Sequence, residues 1–134
     1  MNPEQVALVQ QSFETLFLPR TDEISARFYE HLFRIDPAMR AMFRADITSQ
    51  SRKFMSMLRV TVKGLHRYES VRPAVLDLGH RHVRYGVIAA HYEPMRRALL
   101  RALHEVLGPA FTPELEQAWT AAYDLLAQEM INQI

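Results

Sequence analysis

Apolar residues recur along this chain at intervals of three and four, and nowhere in sustained alternation. Val6, Val9, Phe13 and Leu16 make a first one-sided stripe, the spacing that stacks side chains along one face of an α-helix. Ile24, Phe28, Leu32 and Phe33 repeat the pattern within residues 22–35. Gln50, Phe54, Met57 and Leu58 lie near one face of a stretch from Ser49 to His66. A shorter helix is expected over Ser70 to Tyr85, and two more over residues 91–107 and 113–132. The starts and stops agree with this reading. Asn2 before Pro3 is a cap followed by a residue with no amide hydrogen to lose, and Gln5 completes a capping-box pattern. Pro19 breaks the first run. Asp36-Pro37 opens a short helix that ends near Met42-Phe43, and Arg44 to Ser49, without periodicity, reads as a connecting loop. Pro73 falls in the first turn of the Ser70 helix and Gly86 closes it. Gly108-Pro109 separates the last two helices, with Thr112-Pro113 as the restart. Only four glycines and seven prolines punctuate the chain, too few for a many-stranded or loop-rich fold. About seven helices in one unit over residues 1–134 predict an all-α fold of a single domain.

Composition narrows the function. With 16 Lys+Arg against 15 Asp+Glu, the net charge of +1 argues against a protein that coats nucleic acid. The absence of cysteine removes disulfides, zinc-thiolate centres, iron–sulfur clusters and thiol nucleophiles together. The first residues, MNPEQVALVQQSFE, lack the basic start and apolar stretch of a signal peptide. No apolar run reaches the ~18 residues of a membrane span. A cytoplasmic protein that associates with neither membrane nor nucleic acid is expected.

The usual catalytic constellations are missing. Gly64, Gly79, Gly86 and Gly108 are too dispersed for a phosphate-binding loop. His80 and His82, two apart, point to nearly opposite sides of a helix and cannot chelate one metal from it. Arg96, Arg97 and Arg101 read as a solvated helix face. Of the six histidines, His82 stands out by context. It shares a helix face with Leu78, four residues earlier. A helix presenting Gln50, Phe54 and Met57 precedes it in the chain. One imidazole, one amide and several apolar groups on two facing helices make a flat apolar slot, suited to a planar cofactor whose metal takes one neutral nitrogen.

At these residues the chain resembles the globin family. LGHRHVRYGV, Leu78 to Val87, is similar to the segment carrying the histidine that ligates haem iron in globins. PAMRAMF, ending at Phe43, resembles the turn bearing the phenylalanine that stacks on haem. QSRKFM, from Gln50 to Met55, is similar to the start of the distal helix, and LGPAFTP with Trp119 and Tyr123 resembles the final two-helix junction. The likeness runs through nearly the whole chain in order and is greatest to bacterial single-domain haemoglobins, a group that includes flavohaemoglobin-like and methanotroph globins and shares features with neuroglobin.

The resemblance implies a globin fold, a three-over-three helical sandwich, holding haem b. It implies His82 as the proximal iron ligand, Phe43 as the stacking ring, and Phe54, Leu78, Val87 and Tyr92 as pocket lining. Lys53 or Arg52 is placed to meet a haem propionate. Tyr29, in ARFYEHLF, matches the position from which a side chain reaches over bound ligand, and Gln50 matches the distal position. Both are hydrogen-bond donors. A donor aimed at O₂ stabilises its partial negative charge by about 1.5–3 kcal/mol, so high O₂ affinity and slow release are expected, with NO and CO as further ligands.

O₂ binding, scavenging or transport with NO detoxification is thus the leading reading. Its alternatives are an NO dioxygenase or peroxidase served by a separate reductase, and a small gas-sensing or regulatory globin. One departure from flavohaemoglobins stands out. Tyr92 matches the tyrosine of their tyrosine–glutamate pair, but Ile134 stands where the glutamate is expected. Glu129, more than a turn earlier, is no obvious substitute, so weaker peroxidase-like reactivity is expected. No reductase domain is expected in the chain, and either a monomer or a weak dimer fits its last two helices.

Overall fold

The computed structural model describes residues 1–43 and 47–134, and the side chains of residues 47, 48 and 50 are outside the described set. Among the described residues there are six α-helices: α1 (Pro3–Ser12), α2 (Thr21–Ile35), α3 (Ile47–Lys63), α4 (Tyr68–Arg84), α5 (Tyr92–Leu107) and α6 (Pro113–Ile131). No strand occurs among the described residues. The short helix expected after Asp36 is a 3₁₀ segment, Pro37–Met42.

The sequence signals act locally as expected at most ends. Asn2 Oδ1 accepts from the Gln5 amide at 2.8 Å, and Gln5 Oε1 accepts from the Asn2 amide at 3.1 Å, a complete capping box. Thr112 Oγ1 accepts from the Leu115 amide at 3.2 Å and starts α6. Gly86 turns the chain after α4 with φ +91°, a conformation open to glycine at no steric cost. Pro19 ends the first run less abruptly than expected: α1 continues through a π turn, Phe13–Phe17, into a 3₁₀ turn before α2. That turn drives Phe13 and Phe17 inward against Trp119, whose indole stacks on Phe17 at 5.5 Å.

Two boundaries differ from expectation. The loop expected over Arg44 to Ser49 is helical from Ile47, so α3 begins two residues before Ser49. The run ITSQS carries no apolar repeat at helical spacing to announce a helix, and tertiary context decides. Helix α4 begins at Tyr68 rather than Ser70, because Tyr68 packs against the core and Val71 is buried one turn on. Pro73 therefore lies inside the helix rather than in its first turn. The bond it forfeits is to the carbonyl of Glu69, an exposed residue that water can reach.

Packing follows the amphipathic faces. The main pairings are α2 on α5, α1 on α6 and α4 on α6, whereas α3 touches α4 far less. The larger hydrophobic cluster joins α1, the π turn, α2, α5 and α6 around Phe17, Ile24, Leu32, Leu103 and Trp119. The smaller cluster holds Val75, Val87, Tyr92, Ala127 and Met130, between α4, the start of α5 and the end of α6. Buried polar groups tie these layers. Trp119 Nε1 donates to Ser12 Oγ at 2.9 Å, and Ser12 in turn donates to the Leu8 carbonyl at 2.7 Å. The buried His31 of α2 meets Glu105 of α5, with Nε2 2.8 Å from Oε1.

Candidate functional site

The two clusters meet along a seam. Met42, Met95 and Tyr123 pack against both, and none of the three is fully buried. On the side of the larger cluster the seam has an aromatic wall built by α2, the Pro37–Met42 turn and α3. Phe43 lies edge-on to Tyr29 at 5.5 Å and to Phe33 at 5.3 Å. Phe28 stacks on Phe54 at 5.2 Å, which joins α2 to α3. The hydroxyls of Ser25 and Ser51 pair across the same two helices. Tyr29 is buried within this wall, and burial raises its pKa to about 12, so its hydroxyl keeps its proton. Gln50 lies one turn before Phe54 in α3, and its side chain is outside the described residues.

On the side of the smaller cluster stands His82. The 3.6-residue period places it one turn after Leu78, and its Nδ1 lies 2.8 Å from the Leu78 carbonyl oxygen. A carbonyl only accepts, so Nδ1 carries the proton and donates it. Nε2 is thereby left as the lone-pair nitrogen. Burial lowers the His82 pKa, the Leu78 bond partly offsets this, and Arg81 lowers it further. A neutral imidazole of fixed tautomer, with one nitrogen presented away from its own helix, is the donor a haem iron takes. The residues present therefore fit the group that the sequence implies.

The other expected residues fall into three sets. Leu78, Val87 and Tyr92 belong to the small cluster beside His82, and the Tyr92 ring lies 6.4 Å from the imidazole, inclined by 26°. Phe43, Phe54 and Tyr29 belong to the opposite wall. Arg52 and Lys53 are exposed on α3 and stand apart from both. His80, as its spacing required, turns away from His82, with Nε2 2.9 Å from Gln133 Oε1. Arg96 and Arg97 pair with Asp124 and Glu93 on the surface, at 3.4 and 2.8 Å.

Glu129 pairs with Arg72 at 3.3 Å, and among the described residues no carboxylate bonds the Tyr92 hydroxyl. Burial alone raises Tyr92 to about 12. The sequence reading missed what holds Tyr92. Tyr123 Oη donates to the Tyr92 carbonyl at 2.6 Å and pins the start of α5 to α6. It also missed Met42 and Met95, which bridge the clusters, and Tyr85, whose ring lies 6.4 Å from His82. The i, i+3 spacings from Tyr92 to Met95 and from His82 to Tyr85 are the signals that point to two of these.

Comparison with known proteins agrees with this fold. The family model described as Globin matches residues 26–130. A globin-like protein of Aquifex aeolicus is 32% identical over 98% of this chain and 94% of its own length. The flavohemoprotein of Bacillus subtilis is 30% identical over 95% of this chain, which spans only 31% of that longer protein. An engineered carbene transferase from Rhodothermus marinus superposes with a TM-score of 0.89 at 31% identity, covering 99% of this chain and 92% of that one. A bacterial globin from Campylobacter jejuni has the same fold, with a TM-score of 0.83 at 21% identity over 98% and 95% of the two chains. The chain belongs to the globin family.

Proposed function

We propose that this globin holds haem b on His82 and reversibly binds O₂ with high affinity, with NO and CO as further ligands, in the service of oxygen scavenging and NO detoxification. The observation that carries the reading is the 2.8 Å contact from His82 Nδ1 to the Leu78 carbonyl, which fixes the tautomer and leaves Nε2 free. Bound in the seam between the two clusters, haem supplies the iron at which a diatomic gas is held.

The chain's own residues do the rest. His82, desolvated and neutral, offers its lone pair without first losing a proton. Phe43 and Phe54 give the seam flat apolar surfaces and exclude water. Tyr29, protonated up to about pH 12, is a donor and never an anion at physiological pH. Its place in the wall beside Phe43 supports a role in donating to the gas ligand, and Gln50 is the second donor proposed for that side. Arg52 or Lys53 is proposed to meet a propionate. With no carboxylate on the Tyr92 hydroxyl among the described residues, the imidazole is proposed to stay a neutral ligand with weak peroxidase-like reactivity.

Turnover as an NO dioxygenase is the second reading. It is favoured by the flavohemoprotein relatives, whose length beyond the matched third is available for other chemistry. It requires an electron donor.

Stopped-flow O₂ dissociation from haem-loaded protein tests the donor assignment. Tyr29→Phe should release O₂ about tenfold faster or more, the loss of a charge-assisted hydrogen bond worth about 1.5–3 kcal/mol. An unchanged rate would remove Tyr29 from that role.

A further inference from the structure

The corner joining α4 to α5 exposes apolar surface beside the candidate iron ligand. Val83, Tyr85 and Ile88 are 40%, 57% and 53% exposed, half of the large exposed hydrophobic residues among those described, within six positions. Single exposed hydrophobics need no explanation, but a cluster marks a contact surface. Val83 follows His82 by one residue, about 100° around the helix, so it lies to the side of His82 and is exposed to solvent.

Within the corner's own sequence the formal charges have one sign. Residues 78–92 contain no Asp or Glu and carry Arg81 and Arg84. The flanking acids are already engaged, Asp77 with Arg81 at 3.3 Å and Glu93 with Arg97 at 2.8 Å. Arg84 is exposed and has no carboxylate partner among the described residues. The chain as a whole is nearly neutral, at +1, so this cationic apolar corner is local rather than a reflection of overall charge. Tyr85 belongs both to the exposed patch and to the surroundings of His82, from which its ring is 6.4 Å away.

We propose that the Val83–Ile88 corner is the docking surface for an acidic electron-donor flavoprotein, with Arg84 meeting its carboxylates and Tyr85 and Val83 its apolar rim. The inference rests on the haem-binding reading above. In the step it serves, the partner's reduced flavin gives up one electron and releases a proton to water, and the ferric haem iron gains that electron and becomes ferrous. Charge complementarity of this kind sets encounter rate and register, and weakens with salt.

Bacterial flavodoxin, an acidic FMN protein, is the probe. Binding of oxidised flavodoxin to the full haem-loaded chain is measured by calorimetry at low and high salt, and reduction by reduced flavodoxin under CO is followed by stopped flow. The chain should bind saturably at low salt and more weakly at high salt. Arg84→Glu and Tyr85→Ser should each weaken binding and slow reduction about tenfold or more. Arg101→Glu, exposed on α5 outside the corner, should stay within about twofold. No saturable binding, corner variants within about twofold of the parent, or an equal loss in Arg101→Glu would overturn the proposal. Self-association abolished by Tyr85→Ser, with flavodoxin binding intact, would assign the corner to a second copy and overturn it too. Dithionite reduction with CO gives an independent spectrum for every variant. A chain lacking that spectrum fails the haem reading, whatever its flavodoxin binding.

Discussion

At the scale of single residues, His82 does what its neighbours arrange. Its helix supplies the Leu78 carbonyl that holds Nδ1–H, and the small cluster supplies the desolvation that keeps the ring neutral. The placement of Leu78 on His82's helix face was legible from spacing, and Val87 and Tyr92 from the family resemblance; the carbonyl bond that sets the tautomer was not. Tyr85 was less legible, because its exposure tells more than its spacing. His82→Ala should abolish stable haem retention, with added imidazole restoring it. Retention without imidazole, measured by gel filtration of the reconstituted protein, would contradict the assignment. A pH effect follows for the haem-free protein. The folded His82 pKa is depressed below the ordinary 6.5, so the unfolded chain takes up a proton first as pH falls. The stability that His82 contributes is therefore fully present above about 6.5 and declines as pH drops toward the folded pKa. On going from pH 7.5 to 5.5, the urea midpoint of wild type should fall relative to that of His82→Phe. A constant gap between them would show that His82 does not titrate across that range.

Among the elements, α4 carries the most information. It presents His82 to the seam and its small residue to α6. A Cβ added at Gly79 would lie 3.1 Å from the Met130 Cα, a backbone atom that cannot swing aside. Gly79→Ala should cost about 1–3 kcal/mol, read as a lower urea midpoint, and should move α4 enough to weaken haem retention. Unchanged stability would mean that α4 and α6 separate easily. Helix existence was readable throughout from three- and four-residue spacing and from cap-plus-proline starts. Boundaries were not readable where a helix continues past its apolar sequence stripe, as at Ile47 to Ser49, or where a partly buried Tyr68 extends α4 before Ser70. The π turn at Phe13–Phe17 leaves no local signal, since its residues keep the same apolar spacing as the helix before it.

Across the whole molecule, the two hydrophobic clusters share Met42, Met95 and Tyr123, and the lightly packed pair α3 and α4 flanks the seam between them. Pattern alone showed two facing helices with an imidazole and apolar groups. The division of the core into two clusters depends on contacts between distant segments, which spacing does not encode. A group that fills the seam binds the folded state alone, so haem should stabilise the protein by about 2.7 kcal/mol at a free concentration a hundred times its Kd. A Tm independent of haem concentration would contradict that. The most direct test of the central claim is the absorption spectrum of the purified, haem-supplemented protein, recorded ferric, reduced with dithionite, and reduced under CO. A five-coordinate ferrous spectrum whose Soret band shifts sharply on CO addition, and which is lost in His82→Ala, is the predicted result. Failure to take up haem, or a wild-type spectrum preserved in His82→Ala without added imidazole, would contradict the account.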